Sequence, residues 1–93
     1  MRVRLTRPAV RQLADIGNYI AERDPKAAER VEARLREAVE LLARFPAAGR
    51  PGRIAGTREL VVSGTPYVIP YRVESGAVDI LADFHAAQKR QLG

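Results

Sequence analysis

The sequence predicts an α+β fold: an N-terminal strand, an antiparallel helical hairpin packed on an antiparallel sheet, and a C-terminal three-stranded meander. Three observations predict it. Residues 7–45 hold two runs of helical periodicity separated only by Asp24-Pro25, residues 57–84 alternate in character between two turn signals, and Arg2 to Leu5 alternates Arg, Val, Arg, Leu. The chain of 93 residues suits one domain, spanning 1–93, with a single two-layer core.

The first strand turns Val3 and Leu5 inward. Thr6 is placed to cap the helix over 7–23, and Pro8 falls in its first turn, where a missing N–H costs nothing. Val10, Leu13, Ile16, Gly17 and Ile20 recur there at helical spacing, so one apolar stripe faces the core. Asp24-Pro25 reads as a cap followed by proline at the first helical position, which starts a second helix over 25–45 at once. So short a connection predicts an antiparallel hairpin. Ala28, Val31, Leu35, Ala38, Leu42 and Phe45 form the seam of the second helix. Its other face sets Glu32 with Arg36, Arg36 with Glu40 and Glu40 with Arg44, a solvated charge run to which no function is assigned.

Phe45-Pro46 ends the helix, and residues 47–56 read as a loop carrying Arg50 and Arg53 beside glycines. Beyond it, Ser63-Gly64-Thr65-Pro66 and Ser75-Gly76 divide Thr57 to Arg90 into three strands and a basic tail. If Val62 faces Tyr67 and Val73 faces Val78, then Leu60, Ile69, Tyr71, Ile80, Ala82 and Phe84 share the core face. The opposite face collects Glu59, Val61, Val68, Pro70, Arg72, Asp79, Leu81, Asp83 and His85, with Arg72 across from Asp79. Bare apolar groups among charges on a sheet face predict a partner there. Pro70 conflicts with a central strand, because it lacks a ladder donor, and predicts a bulge or a missing bond.

Sixteen Lys and Arg against eleven Asp and Glu leave a net charge of +5, which favours acidic partners. There is no cysteine and one histidine, which excludes disulfides and thiolate metal sites. No metal or other cofactor is expected. No apolar run approaches the roughly 20 residues of a membrane span, and the start MRVRLTRPAV lacks the apolar core of a signal peptide. A cytoplasmic protein without a membrane partner is expected.

The order strand, helical hairpin, basic loop, meander resembles the RelE/ParE superfamily of bacterial toxins. RPAVRQLADIGNYIAERDPKAAERV is similar to the family's helical hairpin, FPAAGRPGRIAGTREL to its loop and strand entry, and YVIPYRVESGAVDILADFH to its final hairpin. The GRPGR and GTREL wording is closest to the ParE branch. The resemblance implies the toxin of a type II toxin–antitoxin pair, complexed with a ParD-like antitoxin. ParE-like toxins act on DNA gyrase, and RelE-like toxins cut messenger RNA on the ribosome. A shared fold does not decide between them.

Residues weigh toward the first. Metal-free RNA cleavage needs proton-transfer groups and cations around the phosphate, for which Arg58, Glu59, Arg72 and His85 are the candidates. Asp79 and Asp83 offset the cations of that sheet face, so no catalytic residue is expected under the gyrase reading. Target contact is then expected from Arg50, Arg53, Arg58, His85, Lys89 and Arg90, and antitoxin contact from Val61, Val68, Arg72 and Leu81. A basic nucleic-acid-binding module without a toxic target is a third reading. Only net charge supports it.

Overall fold

The computed structural model describes residues 1–82 and Phe84. The elements run β1 (Arg2–Leu5), α1 (Arg7–Arg23), α2 (Pro25–Arg44), β2 (Arg50–Pro51), β3 (Arg58–Val61), β4 (Val68–Glu74) and β5 (Ala77–Ile80). The strands form one sheet in the order β1-β5-β4-β3-β2. Pairing is antiparallel from β2 through β5, but β1 lies parallel to β5, so the sheet is mixed rather than antiparallel. The helical hairpin carries the chain from one sheet edge to the other. Three reversals from β2 then bring β5 back running in the direction of β1.

Both helix starts follow the expected capping. Thr6 Oγ1 accepts the Ala9 N–H at 3.3 Å, and Asp24 Oδ1 accepts the Ala27 N–H at 3.1 Å. Thr6 also donates its hydroxyl to Ile80 O at 2.9 Å, which ties the start of α1 to the end of β5. The apolar stripe of α1 keeps Leu13, Ile16 and Ile20 toward the core as expected, but Ala9 rather than Val10 continues it. Ala9 and Ile16 are buried with Leu13 and Ile20 packed beside them, whereas Val10 is 54% exposed. In α2, Ala38 and Leu42 are buried, while Phe45 caps the helix and stands in solvent. The charge run forms the Glu32–Arg36 pair, and Arg34 reaches Glu37 at 3.5 Å.

The meander keeps the expected register: Leu60 faces Ile69, and Val73 faces Val78. Ile69, Tyr71, Val78, Ile80 and Phe84 form the sheet side of the core, and Ala9, Ile16, Ala38 and Leu42 form its helix side. Pro70 lies inside β4 and is accommodated opposite the end of β5. Leu81 N–H donates to Pro70 O at 2.8 Å, so the bonding side of Pro70 faces the first residue after β5, and the missing donor falls where that strand stops. Further along, Val68 N–H donates to Phe84 O at 3.0 Å, one residue beyond the β4/β5 register. That offset is a bulge-like step beside the proline.

Candidate functional site

The stretch expected to be a free loop is clamped. Arg50 and Pro51 pair with Glu59 and Arg58 as a short edge strand. The Tyr71 hydroxyl accepts the Gly49 N–H at 2.8 Å and donates to Pro46 O at 2.7 Å. Arg58 Nη1 donates to Gly49 O at 2.8 Å. Gly52 N–H donates to Thr57 O at 2.8 Å, and Thr57 returns its hydroxyl to Ile54 O at 2.6 Å. The side chain of Glu59 is almost wholly buried, with Arg50 Nη2 at 3.4 Å from Oε1. Two glycines are required: a Cβ at Gly49 would lie 2.7 Å from the Tyr71 hydroxyl, and one at Gly52 would lie 2.3 Å from Thr57 Oγ1.

The open sheet face is close to charge-balanced. Asp79 accepts from Arg4 Nε at 2.7 Å and from Arg4 Nη2 at 3.1 Å, a bidentate pair across the parallel β1/β5 register. Arg72 sits on the other side of Asp79, as expected from the hairpin register, yet the direct ion-pair partner is Arg4. The Arg4 hydrogen bond, aided by the positive charge of Arg72, holds the Asp79 carboxyl below the ordinary carboxylate range despite opposing desolvation. Of the apolar groups expected to be bare there, Val61 is 53% exposed and Leu81 partly so. Val68 is not bare. It is 2% exposed, flanked by Val61 of β3 and by the chain at Phe84, so it offers a partner no free surface.

The larger apolar opening lies on the helix side. A groove of about 570 Å³ opens between the hairpin and the sheet. Leu13, Gly17 and Ile20 of α1 and Ala28, Val31 and Leu35 of α2 form its walls, and Ile69, Ile80 and Phe84 form its floor. From their spacing the two helix stripes are expected to be closed against each other. The small residues Ala14, Gly17, Ala21 and Ala28 are the signal that they are not, because they keep the helices from filling the space above the sheet.

The three described candidates for RNA cleavage are each engaged with a different neighbour. Arg58 aligns with Tyr71 and is bonded to the loop carbonyl of Gly49, Glu59 is buried beside Arg50, and Arg72 stands next to Asp79. His85, with Asp83, Lys89 and Arg90, lies outside the described residues. Among the described residues, no group of three His, Cys, Asp or Glu side chains could hold a metal, and no helix is long and apolar enough to cross a membrane.

Residues 3–90 match the family described as the ParE toxin of the type II toxin–antitoxin system parDE. The chain belongs to the ParE toxin family. It is 54% identical over 88 residues to Putative toxin Y4kP of Sinorhizobium fredii, which covers 95% of this chain and 91% of that one. Toxin RelE2 of Caulobacter vibrioides is 44% identical over 80 residues, covering 86% of this chain and 89% of its own. The chromosomal ParDE toxin–antitoxin system of P. aeruginosa provides a structural match with a TM-score of 0.79 at 28% identity, covering 87% of this chain and 90% of that chain. Among the described residues, this ParE-family toxin has two helices and a five-stranded mixed sheet, an α+β fold that matches its structural neighbour.

Proposed function

We propose that this toxin arrests growth by inhibiting DNA gyrase, without cutting RNA itself, and is neutralised by a ParD-like antitoxin. The observation that carries the target reading is the engagement of Arg58, Glu59 and Arg72. Each of these three described side chains has a structural task or a charged neighbour, which leaves the described open face without an assembled acid, base and cation set. Arg50 and Arg53 on the clamped loop, with Lys89 and Arg90, are the cations that face the target. Purified toxin is expected to block supercoiling by purified gyrase and to leave ribosome-bound messenger RNA intact. Codon-dependent cleavage of that RNA by the pure protein overturns the reading.

The antitoxin segment is amphipathic and acidic, and lays its apolar face into the groove above Ile69, Ile80 and Phe84. The net charge of +5 favours such a partner, as does the ParDE pairing of the structural neighbour. Val61, Arg72 and Leu81 on the opposite face supply a smaller second contact. Gly17 gives a clean test, because a Cβ there meets nothing within 4 Å and a larger side chain would occupy the groove. Gly17→Leu is expected to weaken antitoxin binding by roughly tenfold or more, about 1.4 kcal/mol. Unchanged affinity places the antitoxin elsewhere.

A further inference from the structure

The clamped loop holds more buried polar structure than a solvated connection requires. Residues 52–57 join β2 to β3, and Thr57 N–H donates to Ile54 O at 3.1 Å, which closes a turn over the tip. Thr57 and Glu59 are the two buried polar or charged residues among those described, and both serve this hairpin rather than the core. Buried polar networks of this kind fix one conformation. At the tip of this ordered frame stands Ile54, 68% exposed, the most exposed large apolar side chain among the described residues. An isoleucine held out to solvent on an ordered backbone costs little further backbone ordering when it enters a partner's pocket.

We infer that Ile54 is the anchor by which the toxin engages its protein target, entering an apolar socket rimmed by carboxylates. The rim chemistry follows from its neighbours. Arg50, Arg53 and Arg58 stand on the same hairpin against the one carboxylate of Glu59, so the anchor is carried on a positively charged frame. An apolar centre within a charged border is the anatomy of a protein–protein hot spot. A phosphate backbone would use the arginines and gain nothing from the isoleucine. The inference rests on the reading of this chain as a gyrase inhibitor, and deepens it by naming the contact.

The test compares wild type, Ile54→Ser, Ile54→Leu and Arg53→Ala for inhibition of purified gyrase, growth arrest, antitoxin affinity and thermal midpoint. Ile54→Ser is expected to raise the half-inhibitory concentration and relieve growth arrest by roughly tenfold or more. Its thermal midpoint and antitoxin affinity stay at wild-type values, because the side chain is solvent-exposed. Ile54→Leu, which restores an apolar side chain of the same volume, recovers most of the inhibition. Full inhibition by Ile54→Ser overturns the inference, as does loss of antitoxin binding with arrest retained. Loss of inhibition by Arg53→Ala alone, with Ile54→Ser still active, assigns the loop to phosphate instead. If wild type arrests growth without inhibiting gyrase, the gyrase reading fails by itself, and growth arrest by the same variants still decides the role of Ile54.

Discussion

Tyr71 and Gly49 are locked to each other: the phenol oxygen accepts the Gly49 N–H at 2.8 Å, and its own proton goes to Pro46 O at 2.7 Å. One fully buried side chain in the middle strand thereby fixes the chain as it leaves α2 and enters the basic hairpin. The Tyr71 hydroxyl thus ties the core to this hairpin, alongside the β2/β3 pairing and the Arg58–Gly49 bond. Tyr71→Phe keeps the packing and leaves the buried Gly49 N–H unpaired, so it is expected to cost about 1–3 kcal/mol in denaturant unfolding. An unchanged midpoint would show that the loop is held without the phenol.

Gly49→Ala approaches the same joint from the other side. The added Cβ would lie 2.7 Å from the Tyr71 ring and hydroxyl and 2.8 Å from the backbone oxygen of Glu59, and a backbone atom cannot turn aside as a side chain does. Strain of about 1–3 kcal/mol is expected. A wild-type thermal midpoint in this variant would mean that the approach relaxes freely.

Gly17 is the opposite case. It sits inside α1, and a Cβ there meets nothing within 4 Å, so Gly17→Ala gains helix propensity without a clash. Stabilisation of about 0.5–1 kcal/mol is expected, read as a raised denaturant midpoint. A lowered midpoint would show that the glycine is needed for packing in the absence of any partner.

Most of the fold is legible in the sequence because it rests on local signals. Thr6 and Asp24 cap their helices, and two short turns set the register that pairs Arg72 with Asp79. What is not legible depends on distant partners. The parallel seat of β1 against β5 cannot be read from either strand, and with it the Arg4–Asp79 pair goes unseen. Val68 alternates onto the open face as expected, yet it is 2% exposed, with the chain at Phe84 bonded beside it. The groove is hidden for a related reason. Periodicity reports that a stripe is apolar, not whether a neighbour comes close enough to fill the space beside it.

The β4/β5 turn carries its own prediction. Ser75 and Gly76 both have positive φ, 52° and 73°, within the two-residue connection between Glu74 and Ala77, which is the type I′ geometry suited to the twist of a hairpin. Gly76→Ala places a Cβ in that left-handed region at a cost of about 1–2 kcal/mol. Ser75→Asn, which tolerates it better than serine, is expected to raise the thermal midpoint slightly. Equal midpoints for both variants would contradict a turn set by backbone preference.

The Arg4–Asp79 pair gives stability a dependence on pH whose sign can be worked out. The Arg4 hydrogen bond lowers the Asp79 pKa in the folded state, so near the ordinary carboxylate value the unfolded chain binds more protons than the folded one. The contribution is therefore complete above that ordinary value, about 3.9, and is lost as pH falls through the lower folded value. It is absent once both states are protonated. Asp79→Asn removes the titration but leaves Arg4 and Arg72 near an uncharged amide, so the variant is less stable than wild type at neutral pH. Denaturant midpoints of the two proteins should converge as the solution is acidified through the carboxylate range. Convergence on raising pH instead, or a constant difference throughout, would mean that the pair does not set the folded-state titration of Asp79.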